Sequence, residues 1–191
     1  MTDEIQTPAA AVTPRGFNHL VLNVRDIEES HRFWCDMLGF KQVGALKPRP
    51  AGSNRPDMTM RFYSGVTTDV NHHDLALVEV PDLPEAPKWD LAGNGCAINH
   101  LAITYPDRES WLQQVKFLES QGALTNPVRV DHGMTHSVYI TDPNGYGVEV
   151  LYELPEEVWR HDIDGALNYA QMLPSDDLYT DTTDYETNFT R

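Results

Sequence analysis

The chain has 191 residues, 40% of them hydrophobic, and carries 29 Asp and Glu against 14 Lys and Arg, for a formal net charge of −15. That length buries a real core in one domain or two small fused modules, and that charge argues against nucleic acid or anionic membrane as a partner. No apolar stretch approaches 18 residues, no charged and then apolar leader opens the chain, and Cys35 and Cys96 stand outside any CxxC spacing, so the expected home is a reducing cytoplasm.

Residues 1–14, rich in Ala, Thr and Pro, lack periodicity and read as a mobile arm. Phe17 to Val24 alternates as a strand, and Asp26 with Glu29 three places on gives a capping-box pattern. Phe33, Trp34, Met37 and Leu38 supply the apolar face of the helix that follows, which Gly39 ends. Phe40 to Leu46 reads as a second strand, the proline-rich Lys47 to Asp57 as a surface loop or lid, and Met58–Tyr63 and His72–Val80 as strands three and four. A linker, 82–96, closes the first unit, 15–81.

The pattern then starts again. Ile98-Asn99-His100-Leu101 repeats Phe17-Asn18-His19-Leu20 at an offset of 81 residues, and Asp107 and Glu109 keep that offset from Asp26 and Glu28. A helix follows (Trp111, Leu112, Val115, Leu118), ended by Gly122, and then strands at Val128–Val130, Thr135–Ile140 and Gly145–Leu154. Each half is strand, helix and three strands, and the second unit spans 97–154. Such an internal repeat is the strongest organisational fact in the sequence. Beyond it, 155–191 is an acidic extension with Glu156 to Met172 expected as one helix.

A histidine within an apolar strand is ordinarily a packed or surface residue. Here it occurs twice, at corresponding points of a duplicated unit, and the last strand, introduced by the Asp142-Pro143-Asn144-Gly145 turn, carries Glu149 among valines. Two imidazoles and one carboxylate form the donor set that suits Fe(II), with Mn(II) and Zn(II) as alternatives, and that leaves coordination positions for guests. The expected ligands are therefore His19, His100 and Glu149. Matching Val80-Pro81 to Leu154-Pro155 sets Leu75 opposite Glu149 and His73 opposite Gly147.

The chain resembles the vicinal oxygen chelate superfamily, and within it the one-domain type I extradiol ring-cleaving dioxygenases, similar to 2,3-dihydroxybiphenyl and catechol 2,3-dioxygenases. The resemblance is carried by Asn71-His72-His73-Asp74-Leu75-Ala76-Leu77, Ile98-Asn99-His100-Leu101, and His132 through Ser137-Val138-Tyr139 to Asp142-Pro143-Asn144-Gly145 and Glu149. It implies an α+β fold of two paired βαβββ modules forming one cup-shaped mixed sheet around a metal. The implied ligands are His19, His100 and Glu149, with His73 as acid/base, Tyr139 on the substrate, and a further active-site histidine at His132 or His136. The resemblance also implies a catecholic substrate, O₂ as co-substrate, Fe(II) or Mn(II), and a homo-oligomer of two or more chains. A glyoxalase-like isomerase or epimerase using Zn(II), Ni(II) or Co(II), and a metal-free drug-binding module similar to bleomycin-resistance proteins, are the other readings of this frame. Trp89, like the other tryptophans, reads as packing.

Overall fold

A computed structural model of the chain describes residues 18–48, 51, 57–65, 72–86, 88–91, 98–124 and 129–173. The expected arm 1–14, most of the proline-rich loop, Asn71, Cys96 and the end of the acidic extension lie outside the described residues. Among those described, no helix is long and apolar enough to cross a membrane.

The duplication is visible as two units of the same order. The first comprises β1 (Leu20–Val24), α1 (Ile27–Arg32) running on into a π-helical turn at Phe33–Met37, β2 (Lys41–Ala45), β3 (Met60–Ser64) and β4 (Leu75–Glu79). In the second come β5 (His100–Thr104), α2 (Arg108–Ser120), β6 (Arg129–Asp131), β7 (Thr135–Thr141) and β8 (Gly147–Glu153). Both helices start where the sequence says they should. The Asp26 carboxylate accepts from the backbone N–H groups of Glu28 and Glu29, and Asp107 from that of Ser110, which satisfies donors that a helix start leaves without partners. Gly39 and Gly122, at φ +80° and +69°, let the chain turn back after each helix.

The strands form two mixed sheets, ordered β1-β4-β3-β2 and β5-β8-β7-β6 with a short β9 (Gln171–Met172) beside β6. In each, the first and last strands of the unit pair in parallel, β1 with β4 and β5 with β8, and the other pairs are antiparallel. One continuous core lies between the units. Leu22, Val24, Trp34 and Leu77 from the first meet Trp111, Val115, Val138, Val148 and Val150 from the second. Each fully buried aliphatic side chain of this kind contributes about 1.5–3 kcal/mol.

Polar clamps fix the docking of the two units. Asn144 accepts from the Arg25 N–H at 2.9 Å and donates to Ser30 Oγ at 2.9 Å. Tyr105 Oη and Gln114 Nε2 reach the Leu38 and Met37 carbonyls.

Three expectations are corrected. Strand β4 begins at Leu75, so His72 and His73 lie on the approach to it rather than within it. The β1/β4 register pairs Leu20 with Leu75, whereas β5/β8 pairs His100 with Gly147. The first-unit counterpart of Glu149 is therefore Ala76, not Leu75, and that of Gly147 is Asp74, not His73. Finally, the single helix expected over 156–172 is broken into α3 (Glu156–Trp159), α4 (Ile163–Leu167) and β9, because Asp162 caps a new helix by accepting from the Gly165 N–H at 2.9 Å.

Candidate metal centre

Side chains alternate across a strand. In β8, Val148, Val150 and Tyr152 enter the core and leave Gly147, Glu149 and Leu151 on the other face; that face is covered too, since Glu149 is only 7% exposed. On β7, Tyr139 is the direct cross-strand partner of Glu149. Its hydroxyl donates to Glu149 Oε1 at 3.0 Å and lies 2.8 Å from His132 Nε2. Burial first, and then the charge of Glu149, hold the Tyr139 phenol far above the ordinary tyrosine range, so it is a neutral donor throughout the working pH range. With one carboxylate oxygen occupied, the other, Oε2, faces His100 Nε2 at 3.1 Å.

Of the two candidate histidines on this side, only His132 joins the cluster. His136 shares a face with Val138 and Ile140, is buried, and meets Tyr152 Oη at 2.8 Å and Trp111 in the core.

The first unit gathers its own imidazoles. The rings of His19 and His73 are 4.4 Å apart, as are those of His72 and His73, and Phe62 closes on His73 at 5.0 Å. Burial, reinforced by the neighbouring His19 and His72, lowers the His73 pKa, which leaves a neutral imidazole at neutral pH. The Asp74 carboxylate beside it accepts from Ser64 Oγ and the Gly65 N–H. Ala76 offers no donor.

Trp89 is the residue that sequence reasoning passed over. Its indole stacks on Tyr139 with ring centroids 5.9 Å apart and planes 21° apart, and its Nε1–H donates to the Asn99 carbonyl. It lies so close over Gly147 that a β-carbon there would collide with the indole. The glycine after Tyr146 was the only available signal, because glycine marks a place where another group approaches the backbone.

Two donors on one octahedral ion, each about 2.1 Å from it and at right angles, stand about 3 Å apart. The His100–Glu149 separation matches that spacing, and imidazole with carboxylate is the donor chemistry of Fe(II), Mn(II) and Zn(II). His19, the third expected donor, stands with His72 and His73. Among the described residues no three His, Cys, Asp or Glu side chains are gathered closely enough to hold an ion.

Residues 16–150 match the glyoxalase/bleomycin resistance protein/dioxygenase superfamily. The chain belongs to this superfamily. Among similar proteins of the superfamily is the catechol-2,3-dioxygenase of Bacillus subtilis (strain 168), 28% identical over 158 residues, which cover 82% of this chain and 47% of that enzyme. The chain thus spans about half the length of that relative. Biphenyl-2,3-diol 1,2-dioxygenase 3 of Rhodococcus globerulus is 32% identical over 151 residues, 76% of this chain and 68% of the relative. A probable lactoylglutathione lyase of Synechocystis sp. (strain ATCC 27184 / PCC 6803 / Kazusa) is 27% identical over 133 residues, 70% of this chain and 92% of the relative. The solved glyoxalase family protein from Enterococcus faecalis shares the fold, with a TM-score of 0.51 at 20% identity over 72% of this chain and 97% of its own.

Proposed function

We propose that this superfamily member is a metal-dependent extradiol dioxygenase that inserts both atoms of O₂ into a catecholic substrate with cleavage of the ring beside the two hydroxyls. His100 and Glu149 of the second unit would hold the ion, and His19 of the first, which stands beside His72 and His73, would have to swing toward them to complete the set. When bound, Fe(II), or Mn(II) in its place, would supply the chemistry that binds both substrate oxygens and activates O₂. The observation that carries the reading is the Tyr139–Glu149–His100 chain of contacts, in which one carboxylate oxygen is held by a phenol and the other is left for the ion.

The roles of the protein groups follow from their environments. Tyr139 fixes the Glu149 carboxylate and presents a neutral hydroxyl beside the reacting centre. His132, partly exposed, keeps its Nε2 within reach of the Tyr139 oxygen. His73, kept neutral by burial, is suited to accept a phenolic proton and return it to the product oxygen. Trp89 provides an aromatic wall against which a planar ring could lie.

Ala76 separates this reading from a glyoxalase-like one. An isomerase of this frame usually draws a fourth protein ligand from the last strand of the first unit, and Ala76 supplies none. The matched region covers 92% of the cyanobacterial lyase and 47% of the Bacillus dioxygenase. Protein reconstituted anaerobically with Fe(II) and then given air with catechol or 2,3-dihydroxybiphenyl should yield a yellow ring-opened product and consume one O₂ per ring. Turnover of a glutathione hemithioacetal with Zn(II) or Ni(II), and none of catechols with Fe(II), would establish the isomerase instead.

A further inference from the structure

Each of the two repeated histidines follows an asparagine, and in both units the pair makes the same contact. Asn18 Oδ1 lies 2.6 Å from His19 Nδ1, and Asn99 Oδ1 lies 2.6 Å from His100 Nδ1. Neighbouring residues within a strand point to opposite faces, so such a contact needs the irregular backbone at a strand start. Both pairs sit there, since β1 begins at Leu20 and β5 at His100. In the second unit the amide orientation is itself determined: Asn99 Nδ2 donates to the Leu91 carbonyl at 3.1 Å, which turns Oδ1 to the imidazole. The Trp89 indole N–H on the Asn99 carbonyl holds the same backbone from the linker side.

From this arrangement we propose that Asn99, and Asn18 at the matching point of the first unit, are positioning residues that select the Nδ1–H tautomer of His100 and His19 and so reserve Nε2 for a divalent ion. The proposal rests on the reading of these histidines as ligands. An amide oxygen can only accept, so the ring nitrogen facing it must carry the hydrogen, and in a neutral imidazole the lone pair is then on the other nitrogen. In His100 that nitrogen is the one 3.1 Å from Glu149 Oε2. A lone pair aimed at a carboxylate oxygen is repulsive until a cation lies between the donors, so the asparagine holds the ring ready for metal rather than for a bond to Glu149. With Asn99 removed, the Nε2–H tautomer would be favoured, because it can donate to Glu149 and shut the ligand pair.

The test uses the full-length, metal-free protein. Long-range ¹H–¹⁵N correlation spectra of the histidine rings should show His19 and His100 as Nδ1–H tautomers. Asn99→Leu, similar in size but without an acceptor, should move His100 toward Nε2–H, and Asn99→Asp should restore Nδ1–H. Mn(II) affinity by calorimetry should fall about 10- to 100-fold in Asn99→Leu and return toward the starting value in Asn99→Asp. Asn18→Leu should change His19 in the same way and leave the His100 signals in place, which gives a second variant should Asn99→Leu fail to fold. Finding His100 as Nε2–H in the unaltered protein, or unmoved in Asn99→Leu, overturns the proposal. If the tautomers respond as expected and yet no Mn(II) binds to the unaltered protein, the metal reading fails while the tautomer assignment stands.

Discussion

Tyr139→Phe removes one oxygen atom from a packed position and leaves the ring, so its cost isolates the hydroxyl. Tyr139 and Glu149 are 8% and 7% exposed, which leaves little room for water to replace the lost donor. A hydrogen bond to a charged acceptor in such a setting is worth about 1.5–3 kcal/mol, and a neutral one about 0.5–1.5 kcal/mol. His132, with about a third of its side chain in solvent, recovers its partner from water. Tyr139→Phe should therefore destabilise the metal-free protein by about 2–3 kcal/mol when Glu149 is present, and by about 1 kcal/mol in a Glu149→Gln background, for a coupling of about 1–2 kcal/mol. Urea denaturation of the four proteins of this cycle at pH 7 without metal measures it. A coupling below about 0.3 kcal/mol would refute the claim that the phenol holds the carboxylate.

Further outcomes are expected elsewhere in the molecule. Gly147→Ala should drive Trp89 from its seat at a cost of about 1–3 kcal/mol, with red-shifted indole emission, and combining it with Trp89→Ala should recover most of the loss. Asn144→Ala leaves the Arg25 N–H and Ser30 hydroxyl without their partner between the units and should cost about 2–4 kcal/mol in thermal or urea unfolding, whereas Ser30→Ala alone should cost about 1 kcal/mol. The carboxyls of Asp26 and Asp107 sit below the ordinary aspartate value of 3.8, chiefly because they accept from the Glu29 and Ser110 N–H groups respectively. Their stabilising effect is present above that value and is lost as the pH falls through it toward the depressed folded values. Acid titration of the unfolding midpoint below about pH 4 should be shallower in Asp26→Asn with Asp107→Asn, since asparagine caps without titrating.

Local chemistry made much of this fold legible in the sequence. The repeated Asn-His-Leu, the two capping aspartates and the glycines after each helix mark the two units, and alternation about Glu149 and Tyr139 places both on one face of the second sheet. The choice between His132 and His136 stayed open in the sequence; in the structure His136 keeps step with the buried Val138 and Ile140 and enters the core. Register between β1 and β4 was not legible. Matching the strand ends at Val80-Pro81 and Leu154-Pro155 misses it by one residue, and so Ala76 rather than Leu75 stands opposite Glu149 in the repeat and His73 falls ahead of its strand. The place of Trp89 was hidden for a different reason: it lies in a proline-rich connection whose path is set by what it lands on. The break at Asp162 depended on one side chain's choice of a backbone partner over continued helix, a competition of small terms that an apolar pattern does not resolve.

Strand β9, only two residues long, carries a practical consequence. Val130 and Asp131 pair with Met172 and Gln171, and the Leu173 N–H donates to the Arg129 carbonyl at 2.9 Å, so the last described segment covers the outer rim of the second sheet. At the opposite sheet, the outer strand β2 is interrupted by a bulge between Gln42 and Gly44, a shape that discourages docking by a neighbour. Trimming the protein back to its two repeats for crystallisation or fusion would uncover three buried residues as a template for intermolecular sheet growth. Leu173 is accordingly the earliest sensible place to cut.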